Sequence, residues 1–66
     1  MIKRPMPEDY APYHTYHAFQ IGVDDYLQGR GFGPHHYRGV DEQAYDRGAE
    51  YAMQLKSWFR KHVWKN

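Results

Sequence analysis

Cysteine is missing from this 66-residue sequence, and aliphatic side chains are scarce. Without cysteine the chain forms no disulfide and offers no thiolate to a metal, which argues against a small secreted scaffold and fits a cytoplasmic location. Isoleucine, leucine and valine together number seven, against twelve aromatic residues. The core must therefore be built mainly from rings, and tyrosine and tryptophan carry a polar atom that needs a partner.

Long apolar runs and a strong net charge are also absent. The longest stretch without a charged residue, 10–23, contains proline, histidine, threonine and glutamine, so we expect no membrane-spanning segment, no signal peptide and no membrane partner. The formal charge of +1 argues against a strongly basic polyanion binder. A chain of about 8.0 kDa is expected to form one domain with too small a core for a deep catalytic pocket. We therefore expect a non-enzymatic protein.

Prolines divide the sequence into two parts. Pro5, Pro7 and Pro12 each fix their own backbone and push the preceding residue toward extended geometry. Residues 1–13 are therefore predicted to form an extended N-terminal arm, and residues 14–66 are predicted to form a helical domain.

Two helices are predicted within this domain. Apolar residues recur at helical spacing from His14 to Gln28, and a glycine-rich stretch that ends at Pro34 must terminate this first helix. A second helix with one broad apolar face is predicted from Glu42 to Lys65. The second helix is long enough to extend beyond the first.

The charges of the second helix follow the order that a helix dipole favours. Asp41 is predicted to be its N-cap and Glu42 lies in its first turn, whereas Lys56, Arg60 and Lys61 lie near its end. These basic residues thus have a structural explanation as well as a functional one.

The two helices share a short pattern of alanine, aromatic residue, two further residues and glycine. It occurs at 18–22 and again at 44–48. A glycine three residues after a ring lets a facing helix approach closely while the ring packs beside the contact. We predict an all-α fold, a two-helix antiparallel hairpin with a proline-rich extended N-terminal arm, in which Gly22 and Gly48 lie at the helix crossing.

This pattern resembles that of ribosome modulation factor and the related small helical proteins of bacteria and phages. The resemblance spans roughly residues 17–53 and includes 18–22, the glycine-rich loop with Pro34, and 44–53. It implies two short helices joined by a loop, in a protein that docks on the small ribosomal subunit and promotes inactive ribosome dimers. The chain differs from the factor in its near-neutral charge, its longer second helix and its proline-rich arm.

RNA is the first predicted partner. In the loop, cations alternate with rings, which suits phosphate contact combined with base stacking, and further cations lie near the end of the second helix. Arg30-Gly31-Phe32-Gly33 matches the opening of an RNA-recognition octapeptide, but Pro34 follows it and disrupts the required strand. The predicted RNA-binding residues are Arg30, Phe32, His35, His36, Tyr37, Arg38, Lys56, Arg60 and Lys61.

A protein is the alternative partner. Rings near the end of the second helix extend beyond the cover of the first helix, and exposed aromatic patches are typical of interfaces. Either the N-terminal arm packs onto these rings, or they bind a host protein as a phage-type inhibitor or adaptor does, or they join two copies in a homodimer. The predicted protein-binding residues are Tyr51, Trp58, Phe59 and Trp64.

Metal and catalytic sites are not predicted. His14 and His17 are spaced so that both could reach one ion on a helix, but neither cysteine nor a tightly spaced carboxylate completes the ligand set. Ser57 is the only serine and lies inside the second helix, away from any nucleophile elbow. We therefore expect no metal, no cofactor and no catalytic residue.

Overall fold

The computed structural model describes residues 3–29 and 35–62, and these residues form helices and turns with no strand. The all-α prediction is confirmed. The elements in chain order are a first 3₁₀ turn (Pro7–Tyr10), a second 3₁₀ turn (Tyr13–Thr15), helix α1 (His17–Leu27) and helix α2 (Val40–His62).

The N-terminal segment differs from the predicted extended arm because two 3₁₀ turns interrupt it. In the first turn, the backbone N–H of Met6 donates to the Asp9 carboxylate at 3.1 Å. In the second, the Thr15 hydroxyl donates to the Pro12 carbonyl at 2.8 Å. The φ that proline imposes suits a 3₁₀ turn as well as an extended chain, so proline content alone could not distinguish the two.

Helix α1 begins three residues later than predicted. Tyr16 is extended, with φ −87° and ψ 143°, and its N–H closes the second turn by donating to the Tyr13 carbonyl at 3.1 Å. The helix ends at Leu27, and Gly29 then takes a φ of 88°, a value that favours glycine.

Helix α2 begins two residues earlier than predicted. Gly39 has a φ of 66°, and its carbonyl accepts the first helical hydrogen bond from Gln43 at 3.2 Å. Asp41 therefore lies inside the first turn, and the prediction that it caps the helix is wrong. The predicted end at Lys65 lies outside the described residues. Within the described residues, neither helix has the combination of length and hydropathy needed to cross a membrane.

The two helices touch backbone to backbone at the paired glycines. A Cβ placed on Gly22 would overlap the Tyr45 carbonyl, and one on Gly48 would overlap the Phe19 carbonyl. The prediction that Gly22 and Gly48 lie at the helix crossing is confirmed. The short pattern of alanine, aromatic residue and glycine thus specifies the position of the closest helix contact.

Contacts away from this crossing do not confirm the antiparallel hairpin. A pair of aligned antiparallel helices with this crossing would place Leu27 beside the first turn of α2. Leu27 instead lines a groove together with Leu55 and Phe59, which belong to the second half of α2. The helices therefore meet at one crossing and leave an apolar groove on one side of it.

Rings form much of the core, as the sequence predicts. Phe19 is 3% exposed, and its ring centroid lies 5.8 Å from that of Tyr51 and 6.2 Å from that of Tyr10. Burial raises the pKa of Tyr10, and the nearby carboxylates of Glu50 and Asp9 add to the shift. A tyrosine hydroxyl is neutral at physiological pH in any case, and the raised pKa does not change this. The Tyr10 ring contacts Phe19 of α1 and Tyr51 of α2, so it anchors the first 3₁₀ turn to both helices.

Candidate nucleic-acid interface

The described part of the predicted RNA-binding loop packs against α2. The His35 ring centroid lies 4.2 Å from that of Tyr45, and the Tyr37 ring stacks on Tyr45 at 5.5 Å. The Tyr45 hydroxyl in turn donates to the Asp25 carboxylate of α1. His35 and Tyr37 therefore contribute part of their ring surface to the fold, which limits what they can offer to a base.

The remaining loop residues are placed differently. Arg38 is exposed, and its guanidinium donates to the carbonyl of Tyr37 at 2.7 Å and to that of His35 at 3.3 Å, so it closes the loop onto itself. His36 is exposed. Arg30 and Phe32 lie outside the described residues.

The predicted cations of α2 form a separate group. Lys56, Arg60 and Lys61 are all exposed in the second half of the helix. Since Arg38 precedes α2 and Lys61 lies in its last turn, a helical rise of about 1.5 Å per residue separates them by roughly 30 Å. The structure therefore divides the predicted RNA-binding residues between the two ends of α2.

The predicted protein-binding rings do not all lie at the surface. Tyr51 is buried against Phe19 and belongs to the core. Trp58 and Phe59 are half-buried, and their rings meet edge to face with centroids 5.3 Å apart. Trp64 lies outside the described residues. Of the four predicted rings, Trp58 and Phe59 are thus the two that the structure places partly at the surface.

The N-terminal segment reaches these two rings. The Arg4 guanidinium carbon lies 5.6 Å from the centroid of the Phe59 ring, a distance typical of a cation–π contact. Pro5 lines a pocket together with Trp58. We call the resulting surface the basic aromatic end, and it consists of Arg4, Lys56, Trp58, Phe59, Arg60 and Lys61.

Charge along the sequence is segregated in a way that points to this surface. All eight acidic residues lie within 8–50, together with three of the nine basic residues. Residues 1–7 and 51–66 hold the other six basic residues and no acidic one. The near-neutral net charge conceals this pattern. From the sequence alone, the pattern could have assigned Arg4 to the same basic group as the α2 cations.

A small pocket of about 130 Å³ lies within the basic aromatic end. Pro5 contributes one wall and the last two turns of α2 contribute the rest. The Trp58 ring stacks at a tilt on His62 with centroids 4.9 Å apart. Packing of the N-terminal segment near Trp58 was one of the alternatives that the sequence left open, and Pro5 is the residue that lines the pocket. Sequence reasoning missed three other lining residues, which are Gln54, Ser57 and His62.

Metal binding finds no support in residues 3–29 and 35–62, where no three histidine, aspartate or glutamate side chains converge. One pair of such side chains is His35 and Asp46, with 3.7 Å between the imidazole Nε2 and a carboxylate oxygen. These two side chains form an ion pair when the imidazole is protonated, and they hold the loop on α2.

The contact of Pro5 with the Trp58 pocket can be tested by fluorescence. In a Trp64→Phe chain, Trp58 is the only tryptophan. Deleting residues 2–5 from that chain is expected to shift the emission maximum to longer wavelength, because the wall that Pro5 forms in the Trp58 pocket is lost and the indole becomes more exposed to water. The undeleted Trp64→Phe chain is the control, and an unchanged maximum would show that the N-terminal segment does not cover the ring.

Comparisons of the chain with protein-family models, with curated proteins and with solved structures found no match. The similarity to ribosome modulation factor therefore stays a prediction from the residues at 17–53.

Proposed function

We propose that this chain is a non-enzymatic binding protein that docks on RNA through its basic aromatic end. The resemblance to ribosome modulation factor favours ribosomal RNA as the target and modulation of the ribosome as the outcome. The proposal includes a cytoplasmic location, where ribosomes are found.

The observation that carries the proposal is the placement of Arg4 over Phe59. This contact brings the cations of the N-terminal segment to those of α2, next to two half-buried rings. Cations bind phosphates and rings stack on bases, so the presence of both around the same end of α2 suits an RNA strand. The helix dipole by itself would explain the basic residues at the end of α2. It does not explain the basic residues of the N-terminal segment, which lie outside the helix.

The rest of the molecule supports a local mode of binding. All eight acidic residues belong to the other part of the sequence, where they outnumber the basic residues. A surface of this kind repels phosphates, so RNA approaches the basic aromatic end in preference to the loop at the start of α2. A net charge of +1 is therefore compatible with RNA binding at one end.

Salt dependence tests this proposal. For single-stranded RNA, each neutralised phosphate contributes about 0.7 to the slope of log affinity against log salt. Replacing Arg60 and Lys61 together by glutamine is therefore expected to weaken binding and to reduce the slope by roughly 1.4. Fluorescence anisotropy with a labelled oligonucleotide at several salt concentrations measures both quantities.

The matched control is the double variant Arg38→Gln and Arg47→Gln, which changes net charge by the same amount. Arg38 lies in the loop, and Arg47 lies 3.8 Å from Glu50 in the first half of α2. We expect its slope to stay close to that of the parent. Equal losses in the two double variants would show that binding is not confined to the basic aromatic end and would contradict a localised site.

A protein partner is the second candidate, and the apolar groove beside the helix crossing favours it. Leu27 is 52% exposed there and shares the groove with Leu55 and Phe59. Monomeric proteins seldom leave large apolar patches uncovered, so an inhibitor or adaptor could bind a host protein through this groove.

Affinity capture from bacterial lysate, with and without nuclease, discriminates between the two candidates. RNA docking predicts that the captured material is lost on nuclease treatment. A captured protein that survives nuclease and high salt, and that is lost from a Leu27→Ala variant, would favour the groove instead.

A further inference from the structure

The pocket within the basic aromatic end has the lining of a site for one nucleotide. Gln54, Ser57, Trp58 and Lys61 follow one another at helical spacing on one face of α2, and Pro5 closes the pocket from the other side. The lining thus includes a carboxamide, a hydroxyl and an ammonium group, and Pro5, Trp58 and His62 complete it.

Each group in this lining matches a part of a nucleotide. The indole offers a surface on which a base can stack, and a carboxamide both donates and accepts hydrogen bonds, as base edges do. The Lys61 ammonium binds a phosphate oxygen. No carboxylate lines the pocket, so nothing in it repels the phosphate.

Size limits what can enter. Pockets that enclose drug-sized ligands have volumes of about 300 to 1,000 Å³, and this one has about 130 Å³. It therefore accepts no more than a single ring system, and the ribose and phosphate of a bound nucleotide must lie at its open side. In a duplex the faces of a base are covered by its neighbours, so a base can reach the indole only from an unpaired strand.

We propose that this pocket binds one unpaired nucleotide of an RNA strand, with the base between Pro5 and Trp58 and the phosphate on Lys61. The inference rests on the proposed RNA-binding function and deepens it, because it specifies single-stranded RNA as the ligand and assigns its contact to one pocket.

Three probes test the pocket with the full chain: a mixed-sequence single-stranded RNA octamer, the duplex of that octamer with its complement, and free adenosine monophosphate. We expect the single strand to bind at least 10-fold more tightly than the duplex and than the free nucleotide. Trp58→Ala is expected to weaken single-strand binding by roughly 5- to 150-fold, the range for loss of one base-stacking ring, and to leave duplex binding almost unchanged. Tyr16→Ala removes an exposed ring outside the pocket and is the matched control.

A second measurement does not depend on the alanine variant folding. In the Trp64→Phe chain, the single strand is expected to quench Trp58 fluorescence on binding, whereas the duplex is not. The pocket proposal is wrong, while RNA docking stands, if three results occur together: the two RNAs bind equally, Trp58→Ala has no effect, and Trp58 fluorescence is not quenched. If free nucleotide binds as tightly as the strand, the assignment to a strand is wrong. If no RNA binds at all, both proposals fail.

Discussion

Replacing Phe19 by alanine is expected to abolish the folded state at physiological temperature. The ring is 3% exposed and contacts the rings of Tyr10 and Tyr51, so its removal opens a cavity between the N-terminal segment and both helices. Phe→Ala changes in cores cost about 3 to 5 kcal/mol. In a chain of fewer than about 70 residues a single core rarely supplies more than about 3 to 5 kcal/mol of stability, so the expected loss is comparable to the whole.

Circular dichroism during thermal and urea unfolding measures this loss. Phe19→Leu fills most of the cavity and is expected to remain folded with a lower melting temperature. Tyr16→Ala removes a ring that is 38% exposed, and we expect it to change stability by less than about 1 kcal/mol. A Phe19→Ala chain as stable as the Tyr16→Ala chain would show that the three-ring cluster does not hold the N-terminal segment on the helices.

Replacing Gly48 by alanine is expected to destabilise the protein although alanine favours helices. The new Cβ would overlap the Phe19 carbonyl, which is backbone and cannot rotate away, so α1 and α2 must separate. Overpacking of this kind costs about 1 to 3 kcal/mol, whereas the gain in helix propensity is about 1 kcal/mol. Gly48→Leu adds further atoms to the same contact and is expected to cost more.

Differential scanning calorimetry measures the change. For a domain of this size each 1 kcal/mol corresponds to about 4 to 8 °C in melting temperature. Met53→Ala, at a position of α2 that is 36% exposed, is the control for a substitution away from the crossing. A Gly48→Ala chain that melts at or above the temperature of the parent would contradict the close crossing.

The helices were predictable because their signals are local. Three of these signals act within a few residues: the helical spacing of apolar residues, the prolines before α1 and the glycines between the helices. The paired glycines mark the crossing because glycine lacks a Cβ. The ends were less predictable. Tyr13 and Thr15 form a 3₁₀ turn in place of the first turn of α1, and Gly39 shifts the start of α2.

The candidate site was predictable only in part. The sequence identifies Lys56, Arg60 and Lys61 as cations near the end of a helix. In the structure all three are exposed in the second half of α2. Tyr51 was predicted to bind a protein partner, but Tyr10 and Phe19 bury it. Sequence periodicity identifies the face of a helix and does not identify what covers that face.

The amino-acid sequence by itself determined an all-α chain with a ring-rich core, a close glycine crossing and basic residues at the end of α2, because propensity, periodicity and side-chain size depend on near neighbours. Only the tertiary structure decided that the prolines lie in and beside 3₁₀ turns, that Arg4 and Pro5 reach Phe59 and Trp58, and that the loop lies far from the α2 cations. The turns needed the structure because the φ of proline suits both a 3₁₀ turn and an extended chain. The other two features join residues more than 50 positions apart in the sequence or place them at opposite ends of a rigid helix. Such relations depend on how the chain folds back along α2, which no local pattern encodes.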